Sequence, residues 1–159
     1  MNENNLEKII NNIVGDAIVK EVMSLKLAVK LIETVEEKAT EMGLAVVVAV
    51  SDASGRPIAV HCMDGAYHGS FDVAVNKTYT STAFQMSTAK LSRLCQPGQE
   101  LYGLQFSNNG KVMILGGGEP LMVGKTMIGA LGVSGGSAQE DSDLAAYGAS
   151  ALKEVIKCL

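Results

Sequence analysis

Apolar positions recur along this chain with two different periods, and the elements change where the period changes. Leu6, Ile9, Ile10, Ile13 and Ala17 fall at helical spacing, which predicts a first amphipathic helix within residues 1–20. A second helix is expected behind Ser24 as N-cap. Ala28, Leu31, Ile32, Val35, Ala39 and Met42 share one face of it, and Gly43 supplies the stop. The stretch LAVVVAVS that follows is apolar almost without alternation, as expected of a central strand covered on both faces. The turn DASG leads into a second strand, RPIAVHCM, and the pair reads as a hairpin.

Helical spacing returns from Ser70 to Met86 through Phe71, Ala74, Val75, Thr78 and Thr82, and STAKLSRL predicts a further short helix. Residues 96–110 have loop chemistry, rich in Gly, Asn and Pro. Three more short strands are expected in KVMIL, PLMV and TMIGALGVS, separated by the run Gly116 to Gly118 and by a turn at Gly124 and Lys125. The last helix opens with a capping box, Ser137 to Glu140, and turns Leu144, Gly148, Leu152, Val155 and Ile156 inward. Five strands joined mainly as hairpins, with long helices before, between and after, predict an antiparallel sheet with helices on its faces. That is an α+β layered fold.

Composition adds limits. A chain of 159 residues suits one domain, 1–159, and 47% apolar with 19% charged residues is ordinary for a globular protein. The net charge of −4, with Lys and Arg scattered among acids, argues against a nucleic-acid partner. The start MNENNLEKIINN lacks the basic end and apolar centre of a secretory leader, and the longest apolar runs are too short to cross a bilayer. No membrane contact is expected, and the expected location is cytoplasmic. Cys62, Cys95 and Cys158 are odd in number and widely spaced, which points to reduced thiols and not to a disulfide framework.

Several motifs suggest chemistry. GGGEPLMVGKT approaches a phosphate-binding loop, but Glu119 stands where that loop needs glycine, and a strand rather than a helix is expected after Thr126. GVSGG matches a nucleophile elbow at Ser134, yet no histidine follows it in the chain. Its glycines instead suit a tight turn with free backbone N–H groups, which can bind a carboxylate; Gly117, Gly118, Ser134, Gly135 and Gly136 are the anion-binding candidates. In VHCMDGAYHGS, alternation puts Ile58, Val60 and Cys62 on one face and Ala59, His61 and Met63 on the other, with Cys62 expected in the core. Gly65 suits a sharp exit from the strand, and Ser70 or Asp72 is expected to cap the next helix. His61 and His68 are separated by a turn and need not converge, so no metal site is assigned. Haem asks only for one axial ligand, an apolar slot and a polar rim. His61, Met63, Tyr67 and His68 all have suitable ligand chemistry, and spacing does not choose among them. Lys77, Lys90 and Arg93 are candidates to meet propionates.

The segments VAVSDASGRPIAVHCMDGAYHGSFDVAVNKTYTSTAFQMST, QPGQELYGLQFSNNGKVMILGGGEPL and IGALGVSGGSAQEDSDLA resemble, in order, the GlcG/HbpS-like domains. These also occur as the C-terminal domain of PduO-type corrinoid adenosyltransferases. The resemblance runs from about Gly43 to Tyr147, and Asp64, Gly65, Asn76, Lys77, Gly116, Gly117, Gly118, Pro120, Gly132, Ser134, Gly135 and Asp141 match the family pattern. It implies a profilin-like or PAS-like three-layer α/β/α arrangement around a five-stranded antiparallel sheet, assembled as a homo-oligomer (dimer, tetramer or octamer). It also implies a tetrapyrrole ligand, haem more than corrinoid, and a link to glycolate, glycerol or propanediol use. His61, Met63, Asp64, Tyr67, His68 and Lys77 are the cofactor-binding candidates. No catalytic residue is assigned, and a binding module is expected rather than an enzyme. The alternatives are an enzyme or binding protein for a small carboxylate, held by Lys77 and the GVSGG amides, and an accessory protein of a diol-utilisation system. In the latter the helix within 1–20 would be an oligomer or docking element, with association to a microcompartment.

Overall fold

The computed structural model describes residues 22–159, so the helix expected from Leu6 to Ala17 lies outside the described residues. Helix α1 (Leu25–Glu41) begins where Ser24 Oγ accepts the Leu27 amide at 3.1 Å. Its predicted face from Ala28 to Ala39 is buried, Met42 beyond it is largely exposed, and Gly43 takes a φ of +71° in the turn. Strands β1 (Val47–Asp52) and β2 (Pro57–Cys62) form the expected hairpin, in which Asp52 Oδ1 accepts the amides of Ser54 and Arg56. Helices α2 (Ser70–Phe84) and α3 (Thr88–Leu94) follow, then β3 (Gly118–Val123), β4 (Thr126–Ser134) and α4 (Ala138–Lys157). The capping box of α4 is complete, with Ser137 and Glu140 each bonding the other's backbone.

All pairings are antiparallel, in the order β2-β1-β4-β3, so the described sheet has four strands and not five. The missing strand is KVMIL. Its amide at Met113 donates to Thr80 Oγ1 at 2.8 Å, and Val112 and Ile114 pack with Leu91 and Cys95 beside α3. A helix side chain and a separate small apolar cluster satisfy this segment, and neither gives it a neighbouring strand. A short apolar run fits that setting as well as it fits a sheet.

The helices lie on both faces. Val46, Val48, Val50, Leu121, Leu131 and Val133 form the main core with α1 and α4, while Val47 and Ala49 point the other way toward Ala74 and Val75 of α2. A register shift between Val50 and Ser51 lets both Ile58 and Ala59 of β2 pack toward the main core. Cys62 is exposed instead of buried: it closes an edge strand, beyond the reach of α2.

The buried residues of α2 are Ser70, Ala74, Lys77, Thr78, Thr80, Ser81 and Thr82, all small or polar, whereas Phe71 is 46% exposed. Threonine makes this possible. Thr78, Thr80 and Thr82 donate their hydroxyls to helix carbonyls of their own preceding turn, so their methyl groups can be buried without an unpaired O–H. Small side chains let the helix sit close to the sheet: a Cβ on Gly132 would collide with the backbone carbonyl of Ala74, and one on Gly118 would meet Ser81 and the Lys77 carbonyl. Ser70 does not cap α2. It lies in the first turn with its Oγ 3.2 Å from Ser134 Oγ, behind an N-cap at Gly69 that offers no side chain.

Lys77 is 1% exposed. Its Nζ donates to Asp141 Oδ2 at 2.7 Å and to the Val133 carbonyl at 2.6 Å, and Asp141 Oδ1 accepts the Gly136 amide at 2.9 Å. Burial lowers the pKa of Lys77 from its ordinary value, and the hydrogen bond and charge of Asp141 oppose the shift without cancelling it. The pair joins α2, the end of β4 and the first turn of α4.

Gly132→Ala is expected to destabilise the protein by about 2–3 kcal/mol, seen as a thermal midpoint lowered by roughly 5–10 °C, although alanine is otherwise the better strand residue. Lys77→Met and Asp141→Leu should each cost about 3–5 kcal/mol in urea unfolding, and the two together should cost clearly less than their sum. The folded pKa of Lys77 lies below the unfolded one, so the unfolded chain binds that proton more tightly. Its contribution to stability therefore improves as pH rises toward about 10, and Lys77→Met should lack that rise when stability is measured against pH.

Candidate functional site

The corner from Met63 to Phe71 leaves edge strand β2, turns at Gly65 with a φ of +89°, and enters α2 through successive turns closed by the Ala66, Ser70 and Phe71 amides. The sequence supplies a glycine where the backbone turns left-handed, and a second, Gly69, immediately before the helix. The structure divides the candidate ligands among three settings. His61 is on the α1 side of the sheet, half-buried, with Nδ1 3.2 Å from Glu36 Oε1. Met63 is also half-buried and packs against the main core. Asp64, Tyr67 and His68 are exposed on the corner itself, Tyr67 by 74%, and Phe71 lies one helical step further on.

His61 and His68 are therefore not brought together. The first is engaged by a carboxylate on one side of β2, and the second is exposed just before α2, which packs on the other side, with the exposed Tyr67 and Phe71 one residue before it and three after. Glu36 could not have been picked out as the His61 partner from sequence, since 25 positions separate them and nothing local links the two. Phe71 was readable only as a helix-face residue, because its spacing matched Ala74, Val75 and Thr78.

Lys77 does not reach this surface; it is held inside by Asp141 and Val133. Lys90 and Arg93 lie on α3, well beyond the corner in sequence. Of the anion-binding candidates, Gly118 donates its amide to Thr88 Oγ1 and Gly136 donates to Asp141, while Ser134 pairs with Ser70 and Gly117 accepts the Val133 amide through its carbonyl. Gly135 has a φ of +151°, and a Cβ there would collide with the Ala45 carbonyl and Val46. Among the described residues no three His, Cys, Asp or Glu side chains converge on one point. Cys62 and Cys158 are exposed free thiols, and burial pushes the Cys95 thiol up from its ordinary range, which keeps it in the less reactive protonated form. No helix among the described residues is long and apolar enough to cross a membrane.

The fold and this corner can be set beside known proteins. The family described as haem degrading protein HbpS-like matches residues 23–150. A 15.0 kDa protein from the dhaT-dhaS intergenic region of Citrobacter freundii is 39% identical over 123 residues, covering 77% of this chain and 87% of that protein. The corrinoid adenosyltransferase PduO of Salmonella typhimurium is 39% identical over 109 residues, which cover 69% of this chain but only 32% of the enzyme. The chain thus spans about a third of that relative's length. Among solved structures, a complex of PduOC with haem shares 35% identity at a TM-score of 0.78, over 82% of this chain and 94% of that one. With the family match spanning α1 through most of α4 and a relative aligned over nearly its whole length, this chain is a member of the HbpS-like family.

Proposed function

We propose that this protein is a haem-binding module, with His68 as the axial ligand and Tyr67 and Phe71 as the apolar surface against which the macrocycle lies. The observation that supports the reading is the exposed cluster Tyr67, His68 and Phe71 at the start of α2, in a chain similar to a protein solved with haem. Large exposed aromatic side chains around a free imidazole are unusual on a surface unless something covers them. His61 is a weaker ligand, because Glu36 already holds its Nδ1 and Met63 beside it is committed to the core. Asp64 lies on the same exposed corner and would border the site, whereas Lys77 is too deep to touch a propionate. When bound, the iron supplies the ligand-binding and redox chemistry; the chain's own residues hold and orient the macrocycle.

An exposed corner covers one face of a flat macrocycle. A homo-oligomer in which a neighbouring copy covers the second face completes the site, and this is the assembly proposed here. Corrinoid remains the alternative ligand, through the similarity to PduO, and a role beside glycolate, glycerol or propanediol use in the cytoplasm or a microcompartment is part of the same proposal. The small-carboxylate reading is weaker, because Lys77 and the Gly118 and Gly136 amides are engaged inside the protein.

Titration of the purified protein with hemin should give a Soret shift that saturates near one haem per chain. His68→Ala should weaken binding by about tenfold or more, while His61→Ala leaves it nearly unchanged. Loss confined to His61→Ala would move the ligand to the other side of β2, and the absence of any saturable shift would remove the haem reading. Tyr67→Ser/Phe71→Ser should weaken binding while leaving the thermal midpoint within a few degrees of the parent, as expected of surface positions.

A further inference from the structure

The charges around the exposed corner at the start of α2 are acidic. Asp64 and Asp72 are both exposed there, and between Arg56 and Lys90 the chain has a single lysine or arginine, the buried Lys77. A macrocycle lying on Tyr67 and Phe71 with His68 at its iron has two anionic propionates, which these carboxylates repel. The propionates need a cation elsewhere on the outer side of α2.

That side leads to Tyr79. Asp72 and Tyr79 stand two helical turns apart and so share one side of the helix, and the rise of about 1.5 Å per residue puts Tyr79 about 12 Å beyond Phe71 along its axis. Such a span is comparable with the width of a flat tetrapyrrole. Over Tyr79 the loop that precedes β3 is pinned twice: Asn108 Nδ2 donates to the Tyr79 hydroxyl at 2.8 Å, and the Met113 amide donates to Thr80 Oγ1 at 2.8 Å. Lys111 stands between these two bonds, with its Nζ 5.8 Å from the centre of the Tyr79 ring. Asn108, Asn109 and Gly110 before it all have left-handed φ, at 51°, 56° and 74°. Two successive non-glycine residues in that region are costly, and the strain is held where the chain brings Lys111 back over α2.

Lys111 is exposed, and among the described residues no carboxylate pairs with it. Arg56 follows Gly55, which also faces Tyr79, but it is already paired with Asp52 at 3.3 Å. We infer that Lys111 receives the propionates of the macrocycle, so that the ligand lies along α2 with its iron at the corner and its carboxylates at the loop. This rests on the haem reading and adds to it a second anchor from a different part of the chain. Tyr79 positions that anchor, holding Asn108 by its hydroxyl and the ammonium over its ring.

Titration with hemin and with its dimethyl ester, which lacks the propionate charges, separates the two anchors. Lys111→Met leaves an apolar stem over Tyr79 and should weaken hemin binding about three- to fivefold, as for an exposed charge pair, with the difference fading at high salt. Lys111→Glu should weaken it further. The ester should bind the parent and both Lys111 variants equally, whereas His68→Ala should weaken hemin and ester alike. Equal hemin affinity in the parent and Lys111→Met, or an equal loss for hemin and ester in that variant, would overturn the inference and leave haem binding standing. No saturable binding of either ligand by the parent would overturn both.

Discussion

The buried bond between Lys77 and Asp141 sets the terms for the centre of this fold. An ammonium removed from water is tolerated only with acceptors close at hand, and Asp141 and the Val133 carbonyl take two of its three donors from two different elements. Their meeting requires α2 to approach the sheet, the end of β4 to turn sharply, and α4 to start at that place. The glycine runs follow from this crowding. A Cβ on Gly117 would strike Lys77 Nζ, Asp141 and the Val133 carbonyl, so the loop into β3 passes over the pair only as bare backbone. The runs that look like a phosphate loop and a nucleophile elbow in the sequence are here close-packing surfaces, Gly117 against the ion pair, Gly118 and Gly132 against α2, and Gly135 against Ala45 and Val46.

Much of the fold was legible because its main core obeys ordinary periodicity. The face of α1, the β1–β2 hairpin, the whole of β4 and the capping box of α4 are where apolar spacing and turn chemistry put them. The failures share a cause. On α2, Ala74, Thr78 and Thr82 are buried where their spacing puts them and Val75 packs beside them, but Phe71 is outside while Ser70, Lys77 and Ser81 are inside, and hydrophobicity alone misplaces those four. KVMIL is a short apolar run like that of a buried strand, yet its backbone partner is Thr80, which no local pattern announces. Cys62 has the right parity for burial but sits at the end of an edge strand.

The candidate site was legible as a place and not as a geometry. The sequence concentrates ligand chemistry between His61 and His68, and the corner is indeed where strand passes into helix. Which side of β2 each side chain occupies depends on strand parity together with the distant Glu36, and this separates the histidines into an engaged one and a free one. The interior polar groups and the surface aromatic groups then divide the work: the former fix where α2 begins, and the latter are what it presents.

The strand order has one further consequence. Two of the chain's three prolines, Pro57 and Pro120, lie on β2 and β3, the two outer strands of the sheet. A proline has no N–H to offer an incoming strand, and on an edge it breaks the row of donors that would otherwise template indefinite growth. The same exposed borders that leave the sheet open in outline are thereby closed to fibre-like extension, and contacts between molecules are directed to helices and loops, where an assembly can be finite.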